Sequence, residues 1–435
     1  IVIIIDDHDA RGAKNFLCIH CKSQFLRPIL YIICLPKNCD LKFASSYDCT
    51  LQDKIADNPA SFGIFRRRLN SKTGTESSMS QTHFFNDLKL DRVFMILRRG
   101  AFVILRDERG QAGLVRAAEF ADYTPEPVAR LVQNNEILCL TARHLEAFGK
   151  SVNDAFDSFS LPANSLDDSD ILRLILGDAD ALPEGLNSLA ERQNSLPDLA
   201  CRLLRSARLI PAALLTRMSM KDSYQLHHFS ENYQIPILDF HEVASLKRDV
   251  DVEMSITTSA RLPLAATDDA KIVMFRQKND RQEHFAIIVG SEDYSEPPLV
   301  RLHSQCVTGD VLGSLKCDCG PQLQTALAMM REAGSGVLLY LAQEGRDIGL
   351  LNKIRAYSLQ DKGLDTVEAN HSLGFETDER LFGPAAAMLK ALGLTKLKLL
   401  TNNPDKIARL EAHGIEVCAR IGLDLPANPH AQRHR

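Results

Sequence analysis

The chain lacks the features that direct a protein to a membrane or to nucleic acid. Its 51 Lys and Arg residues nearly balance 56 Asp and Glu residues, so no strong attraction to nucleic acid or to an anionic surface is expected. The longest apolar run near the start, residues 28–36, is bracketed by prolines and is too short to span a bilayer. No secretory signal is evident. We predict a cytoplasmic protein with neither a nucleic-acid partner nor a membrane partner.

Methionine is absent before Met79, and residues 1–78 carry cysteines without a periodic pattern. We expect this stretch to be a non-native or disordered leader. The remaining length is sufficient for two domains. We predict one domain at 79–250 and a second at 258–424, joined by a polar linker around 247–261, with a disordered tail at 425–435.

Strand-like and helix-like segments alternate in the second domain. The segment 320–334 predicts a helix, with apolar side chains on one face and Gly334 placed to end it. Segments 336–342 and 396–400 predict buried strands. This alternation predicts an α/β fold with ligands bound beyond the carboxyl ends of the strands.

Three cysteines, Cys306, Cys317 and Cys319, are the most informative feature of the chain. Three thiolates form a tetrahedral zinc site with one position left for water, which is the arrangement of a catalytic zinc. A single cysteine is more often a small buried apolar side chain, but nearby glycines and the close spacing favour metal ligands. His303 is either a fourth ligand or a substrate contact. The cluster predicts a zinc hydrolase.

Two loops at predicted strand ends are suited to phosphate. Thr401 ends one strand just before a helix, so free N–H groups and the helix dipole can face an anion, and Lys406 adds charge. In the other loop, Gly345 permits close approach of the backbone and Arg346 supplies a planar fork for phosphate oxygens. Together with the cysteines, these loops predict a polyphosphate substrate attacked by metal-activated water.

Residues 300–421 resemble GTP cyclohydrolase II, the first enzyme of riboflavin synthesis. The resemblance rests on RLHSQCVTGDVLGSLKCDCGPQL, QEGRDIGLLNKIRAYSLQDKGLDTVEANHSLGF, DER and LTNNPDK. It implies zinc-dependent hydrolysis of GTP to 2,5-diamino-6-(5-phospho-D-ribosylamino)pyrimidin-4(3H)-one, formate and diphosphate. It further implies a layered mixed-sheet domain, a homodimer, and Mg²⁺ on the GTP phosphates.

The resemblance also implies roles for individual residues. The three cysteines would hold Zn²⁺, and the water that it activates would attack carbon 8 of guanine. Asp378 would accept a proton. Arg380 would attack the α-phosphorus or, since arginine is ordinarily always protonated, stabilise the leaving diphosphate. Tyr357 would move a proton during ring opening, and Glu344 would accept hydrogen bonds from guanine. Positions that match GTP-contacting residues are Arg301, Leu302, His303, Ser304, Gln305, Gln322, Glu344, Gly345, Arg346, Thr366, Thr401 and Lys406.

Two positions depart from the pattern of that family. Gln305 stands where glutamate is usual, and Asp347 stands where glycine or asparagine is usual. Neither is an implied ligand of zinc or an implied catalytic residue. We expect altered affinity rather than lost chemistry.

Residues 85–250 resemble a degenerate 3,4-dihydroxy-2-butanone 4-phosphate synthase, an α+β domain. Of the acidic run that binds magnesium in that family, Asp107 and Glu108 remain, while Arg217 occupies a position where glutamate is expected. We predict an inactive domain, retained for dimerisation or stability, and Arg217 disfavours a bifunctional enzyme. Two alternatives are a non-catalytic GTP-binding regulatory protein and a paralogue that releases a formylated pyrimidine. The complete cysteine set argues against the first, and Tyr357 against the second.

Overall fold

The computed structural model describes residues 2–4, 16–19, 31–34, 88–123, 136–153, 155–179, 181–219, 223–244, 246, 249, 252–277, 282–426 and 428–432. The chain divides into two compact units, Ile1–Ser78 and Met79–Arg435. In the first unit, strands Val2–Ile4, Phe16–Ile19 and Tyr31–Cys34 form an antiparallel sheet in that order. The rest of the predicted leader lies outside the described residues. Within the described part of the chain, no helix combines the length and apolar character needed to cross a membrane.

The second unit contains two seven-stranded sheets. The first sheet is antiparallel except for the pairing of its first two strands. Strand Ala112–Ala117 in this sheet is buried along its whole length. In spatial order its strands are Ile237–Asp239, Val103–Arg106, Ala112–Ala117, Ala213–Met218, Glu136–Thr141, Ser158–Pro162 and Leu189–Glu191.

Helix Leu196–Ser206 covers one face of the first sheet. Pro197 lies in its first turn, where its missing N–H costs nothing, and Arg205 lies in its last turn. Its apolar positions are buried in one cluster with the strands. Other helical segments around this sheet are 88–97, Ala118–Phe120, Ala142–Ala147, Asp168–Ile175, Ser223–Tyr233 and Phe240–Ala244.

The second sheet is mixed, with an antiparallel half and a parallel half. Its central strand, Ser335–Leu341, is buried on both faces, as its continuous apolar sequence predicts. The predicted α/β fold class and the strands predicted at 336–342 and 396–400 are confirmed. In spatial order its strands are Met254–Arg261, Ala270–Gln277, Glu283–Gly290, Ser335–Leu341, Leu299–Ser304, Lys396–Leu400 and Glu416–Ile421.

Helices pack on both faces of the second sheet. The predicted helix near 320–334 is observed at Cys319–Glu332, and Gly334 follows it with a φ of 72°. The remaining helical segments are Val307–Val311, Leu350–Asp361, Thr366–Ser372, Gly383–Ala391, Asp405–Glu411 and Pro429–Gln432. The last of these lies in the predicted tail, next to Asn428, whose side-chain amide donates to the carbonyl of Leu315 at 2.9 Å.

The layers built on the two sheets share one apolar cluster. Leu138 and Leu174 from the first layer are buried in the same cluster as Leu359, Leu373 and Phe375 from the second. Burial of each such side chain stabilises the fold by about 1.5–3 kcal/mol. The first layer therefore packs directly against the helices that follow the loop at 343–349.

The predicted linker is wrong over much of its length, because Met254–Arg261 is a strand. It pairs with one neighbour, Ala270–Gln277, at the edge of the second sheet. Nearly all of its side chains are exposed, so its polar sequence lacks the apolar alternation by which strands are recognised.

Candidate functional site

The candidate site lies at one edge of the second sheet. Strands Leu299–Ser304, Ser335–Leu341 and Lys396–Leu400 are adjacent and parallel, so their carboxyl ends meet there. The segments that follow these strands carry the cysteines, the loop beginning at Gln343 and Thr401 respectively. This is the position expected for a ligand in an open α/β sheet.

The three cysteines converge at this edge. The sulfur atoms of Cys306, Cys317 and Cys319 all lie within 4.8 Å of one another, and those of Cys306 and Cys317 are 3.5 Å apart. A zinc ion bound at about 2.3 Å from each sulfur requires separations of about 3.8 Å. Gly309 leaves room for the cluster, because a Cβ atom there would lie 2.6 Å from the Cys317 sulfur. The three sulfur atoms thus fit a tetrahedral metal ion.

The electrostatics of the cluster favour one thiolate in the metal-free protein. Hydrogen bonds from Cys317 and Cys319 lower the pKa of the Cys306 thiol against the opposing effect of burial. The ammonium of Lys353 lies 3.0 Å from the Cys306 sulfur and also lowers this pKa. The same contacts raise the pKa of Cys319. Three thiolates in this space require additional positive charge, which a divalent metal ion provides.

A cavity of about 310 Å³ opens beside the cysteines. This volume is within the usual range for small-molecule sites, roughly 300–1,000 Å³. The Tyr357 hydroxyl lies 3.5 Å from that of Thr308, and Thr308 lies 3.5 Å from the Cys306 sulfur. Burial raises the pKa of Tyr357, so its phenol keeps its proton at neutral pH. Predicted residues that line this cavity are Ser304, Gln305, Cys306, Cys317, Cys319, Gln322, Gly345, Arg346, Tyr357, Thr366 and Arg380.

A second cavity, of about 220 Å³, is lined by four cations, Arg301, Arg346, Arg380 and Lys406, together with Thr401. Burial and the nearby charge of Arg380 lower the pKa of Arg301 to about 10. Burial, Arg301 and Arg380 likewise lower the pKa of Lys406. The guanidinium of Arg301 is held by the carbonyl of Leu400 at 2.9 Å. Mutually repelling cations held in one cavity form a site for a polyanion.

Arg346, Arg380 and Gln322 line both cavities. The side chain of Gln322 accepts a hydrogen bond from Arg301 at 2.6 Å. The two cavities are therefore two parts of one pocket wall, with the cysteines at one end and the cations at the other.

Asp378 and Arg380 form a bidentate ion pair. Arg380 donates through Nε at 2.8 Å and through a terminal nitrogen at 2.5 Å to the two carboxylate oxygens of Asp378. Burial opposes ionisation of Asp378, but the hydrogen bonds and charge of Arg380 lower the pKa of its carboxyl. The pair therefore holds a carboxylate and a guanidinium at neutral pH.

Three of the predicted substrate contacts do not line either cavity. Leu302 is buried in the core, and its carbonyl accepts from Lys406 at 3.3 Å. His303 is buried, and its ring nitrogen Nε2 lies 3.0 Å from a carboxylate oxygen of Asp310. It does not belong to the cluster that the three cysteine sulfurs form. Glu344 is also buried, and its carboxylate accepts from Lys353 and from the Val307 amide at 2.8 and 2.7 Å. The guanine contact expected of Glu344 stays a prediction, and in this structure each of its carboxylate oxygens accepts one hydrogen bond from within the protein.

Several residues at the site were not predicted from the sequence. Lys353 contacts both Cys306 and Glu344, and its position four residues before Tyr357 was the available signal, since residues at that spacing share a helix face. Gln360 and Asn370 line the first cavity. Asp310 accepts from the Cys306 amide at 3.1 Å and from the Tyr340 hydroxyl at 2.8 Å, so it positions the first cysteine.

Asp107 and Glu108, the acidic residues that remain in the first layer, are paired with an arginine. Arg192 donates to Glu108 at 2.8 Å and to Asp107 at 3.2 Å, and Arg217 lies 4.0 Å from Glu191. Among the described residues, the two groups that could hold a metal ion include neither Asp107 nor Glu108. The second of these groups, Asp239, His241 and Glu242, has its carboxylates paired with Arg106 and Lys89.

The fold places three convergent cysteines beside a cavity lined by cations, the combination expected of a hydrolase that acts on a phosphorylated ligand. A family model described as GTP cyclohydrolase II matches residues 255–422. A GTP cyclohydrolase-2 from Azospirillum brasilense is 39% identical over 354 residues, which is 78% of this chain and 89% of that protein. The chain therefore belongs to the GTP cyclohydrolase II family. The predicted family, a hydrolase family of riboflavin biosynthesis, is confirmed.

Other relatives are named riboflavin biosynthesis protein RibBA. The Cytophaga hutchinsonii protein is 35% identical over 67% of this chain and 75% of that protein. The Bacillus cytotoxicus protein is 58% identical over 34% of this chain and 37% of that protein. The solved structure of RibBX, a two domain 3,4-dihydroxy-2-butanone 4-phosphate synthase from A. baumannii, covers 78% of this chain at 16% identity. Its TM-score of 0.29 is too low to inform the fold.

Proposed function

We propose that this protein hydrolyses GTP to 2,5-diamino-6-(5-phospho-D-ribosylamino)pyrimidin-4(3H)-one, formate and diphosphate, the first step of riboflavin biosynthesis. The observation that carries the proposal is one pocket wall with three convergent cysteines at one end and four cations at the other. Water is consumed at two places in this reaction, at carbon 8 of guanine and at the α-phosphorus. The two ends of the pocket suit these two reactions.

Cys306, Cys317 and Cys319 are the proposed ligands of Zn²⁺. When bound by these cysteines, Zn²⁺ would supply Lewis acidity and would lower the pKa of a water molecule. The neutral phenol of Tyr357, on the wall of the same cavity, is suited to donate a proton to a ring nitrogen as the imidazole ring opens.

The cations of the second cavity are proposed to bind the triphosphate, with Mg²⁺ on its oxygens as the family resemblance implies. Arg380 is the proposed electrostatic stabiliser of charge at the α-phosphate and the leaving diphosphate. A nucleophilic role for Arg380 is disfavoured because two of its nitrogens already donate to Asp378 and because the guanidinium holds its proton strongly.

Gln360 is a proposed acceptor for the guanine edge, in addition to the predicted contact of Glu344. It lines the first cavity, and among the described residues its side-chain carbonyl is buried without a hydrogen-bond partner. Its amide nitrogen donates to the Thr366 hydroxyl at 3.1 Å, which orients the carbonyl. Guanine presents N–H donors at its edge. A buried acceptor of this kind strongly favours such a base over one that lacks these donors.

We propose a homodimer in the cytoplasm. The large apolar side chains Val311, Leu312 and Leu315 follow Cys306 in the chain and are more than half exposed, and Leu351 is also 59% exposed. Exposed large apolar side chains favour coverage by another chain. Sedimentation equilibrium at several concentrations tests the dimer, and a monomer at all of them contradicts it.

The activity is tested by incubating the zinc-loaded full chain with GTP and measuring formate, diphosphate and the pyrimidine by mass spectrometry. Cys317→Ser is expected to abolish both formate and diphosphate release. Cys418→Ser is the matched control, because Cys418 is exposed on strand Glu416–Ile421, away from both cavities. Diphosphate without formate indicates a paralogue that releases a formylated pyrimidine. Bound GTP without either product indicates a regulatory protein.

A further inference from the structure

We propose that Arg208, in the layer that carries none of the candidate catalytic residues, is a positioning residue for the loop 343–349 at the active site. The role rests on the function proposed above. It gives the degenerate layer a part in substrate binding that goes beyond dimerisation or stability.

The loop adopts a conformation that its own sequence does not favour. Arg346 and Asp347 have φ values of 59° and 75°, in the left-handed region that disfavours most side chains. Two successive residues of this kind, neither of them glycine, persist only where the surroundings hold them. The loop therefore needs contacts from outside itself.

Arg208 supplies such contacts at three points, one before the loop, one within it and one after it. Its guanidinium donates to the carbonyl of Ala342 at 3.1 Å, just before the loop, and to the carboxylate of Asp347 at 2.5 Å, in the middle. Its own carbonyl accepts from the side-chain amide of Asn352 at 2.9 Å, just after the loop. One residue thus ties the start, the middle and the end of the loop to the first layer.

The attachment of Arg208 to the first layer is firm. It follows helix Leu196–Ser206, whose apolar positions are buried in the core of that layer. Asp347 and Arg208 are both largely shielded, with side-chain exposures of 12% and 26%. A charge-assisted bond in such surroundings is stronger than a solvent-exposed ion pair.

Residues on the loop reach the pocket directly. Gly345 and Arg346 line the first cavity, and Arg346 lines the second. The Arg346 carbonyl also accepts from the Glu379 amide at 3.2 Å, next to Arg380 in the chain. Displacement of the loop therefore moves one phosphate-binding cation and disturbs the segment that carries another.

The test compares Arg208→Met with Arg202→Met. Arg202 lies on the helix that precedes Arg208 and pairs with Asp198 within the first layer, so it controls for the loss of a partly buried arginine pair. Arg208→Met is expected to raise the KM for GTP by at least about ten-fold, with a smaller change in kcat. It is also expected to accelerate hydrogen exchange of amides in 343–349. Arg208→Lys is expected to show a smaller rise in KM and a smaller increase in hydrogen exchange than Arg208→Met.

A double variant tests the pairing itself. If Arg208 acts through Asp347, then Arg208→Met combined with Asp347→Asn raises KM little more than either change alone. The proposal is overturned if folded Arg208→Met keeps wild-type exchange in 343–349, or if Arg202→Met produces the same changes. If Arg208→Met accelerates hydrogen exchange in 343–349 but the wild-type protein does not turn over GTP, the proposed function is contradicted. The positioning contact is then still supported.

Discussion

Lys353 is predicted to support both the fold and the metal centre. Its ammonium lies 2.8 Å from the Glu344 carboxylate and 3.0 Å from the Cys306 sulfur, with only 11% of the side chain exposed. Loss of one partner from a buried ion pair costs about 3–5 kcal/mol. We expect Lys353→Met to cost about 3 kcal/mol, the lower limit, because Glu344 keeps its bond from the Val307 amide.

The same change should weaken zinc binding. Three thiolates exceed the charge of a divalent ion, and Lys353 offsets the excess beside Cys306. Loss of a group that supports a metal ligand typically weakens metal binding by roughly 10- to 100-fold. The assays are urea unfolding of the zinc-free protein and competition for zinc with a chelator of known affinity.

The control is Lys89→Met, which removes a second lysine bonded to a buried glutamate, Glu242, far from the cysteines in the chain. It should lower stability by less, since Lys89 is 37% exposed, and leave zinc affinity unchanged. In Lys353→Met combined with Glu344→Gln, part of the lost stability should return because no buried carboxylate is left without its cation. Wild-type stability and wild-type zinc affinity in Lys353→Met would refute this reasoning.

Three further predictions follow from the geometry. Gly309→Ala places a Cβ atom 2.6 Å from the Cys317 sulfur, so bound zinc measured by elemental analysis should fall below half an equivalent, and full occupancy would contradict the fit. Tyr357→Phe should lower formate release more than diphosphate release, because the phenol is proposed to act only in ring opening; equal losses would argue for a role in binding. Burial and the charge of Arg205 lower the pKa of His144 from 6.5 to about 3, so the neutral ring contributes stability that is present above pH 6.5 and lost as the pH falls below it. At pH 5 the loss is about 2 kcal/mol, and urea unfolding of His144→Gln should show a flatter decline between pH 6.5 and 5 than wild type.

Local patterns predicted the elements that carry the site. Helix Cys319–Glu332 and strand Ser335–Leu341 were identified because apolar periodicity and a terminating glycine are properties of neighbouring residues. Strand Met254–Arg261 was missed because an exposed edge strand carries no such pattern. Its identity depends on hydrogen bonds to Ala270–Gln277.

The sequence placed Glu344 and His303 in segments of the site, but it did not predict their partners within the protein. Both lie in segments that form the site, but their side chains turn toward Lys353 and Asp310 inside the protein. The direction of a side chain depends on its rotamer and on partners brought close by folding. The sequence does not contain that information in local form.

The sequence by itself determined the cysteine cluster, the order of strands and helices, and the placement of cationic loops at strand ends, because spacing and local propensity act over a few residues. Tertiary structure decided which cations share a cavity and which carboxylates already have partners within the protein. It also decided that Arg208 contacts a loop 139 residues away, at Asp347. These relations depend on packing between two layers that are distant in the chain. The first layer can therefore influence the site only through contacts that appear once the two layers fold against each other.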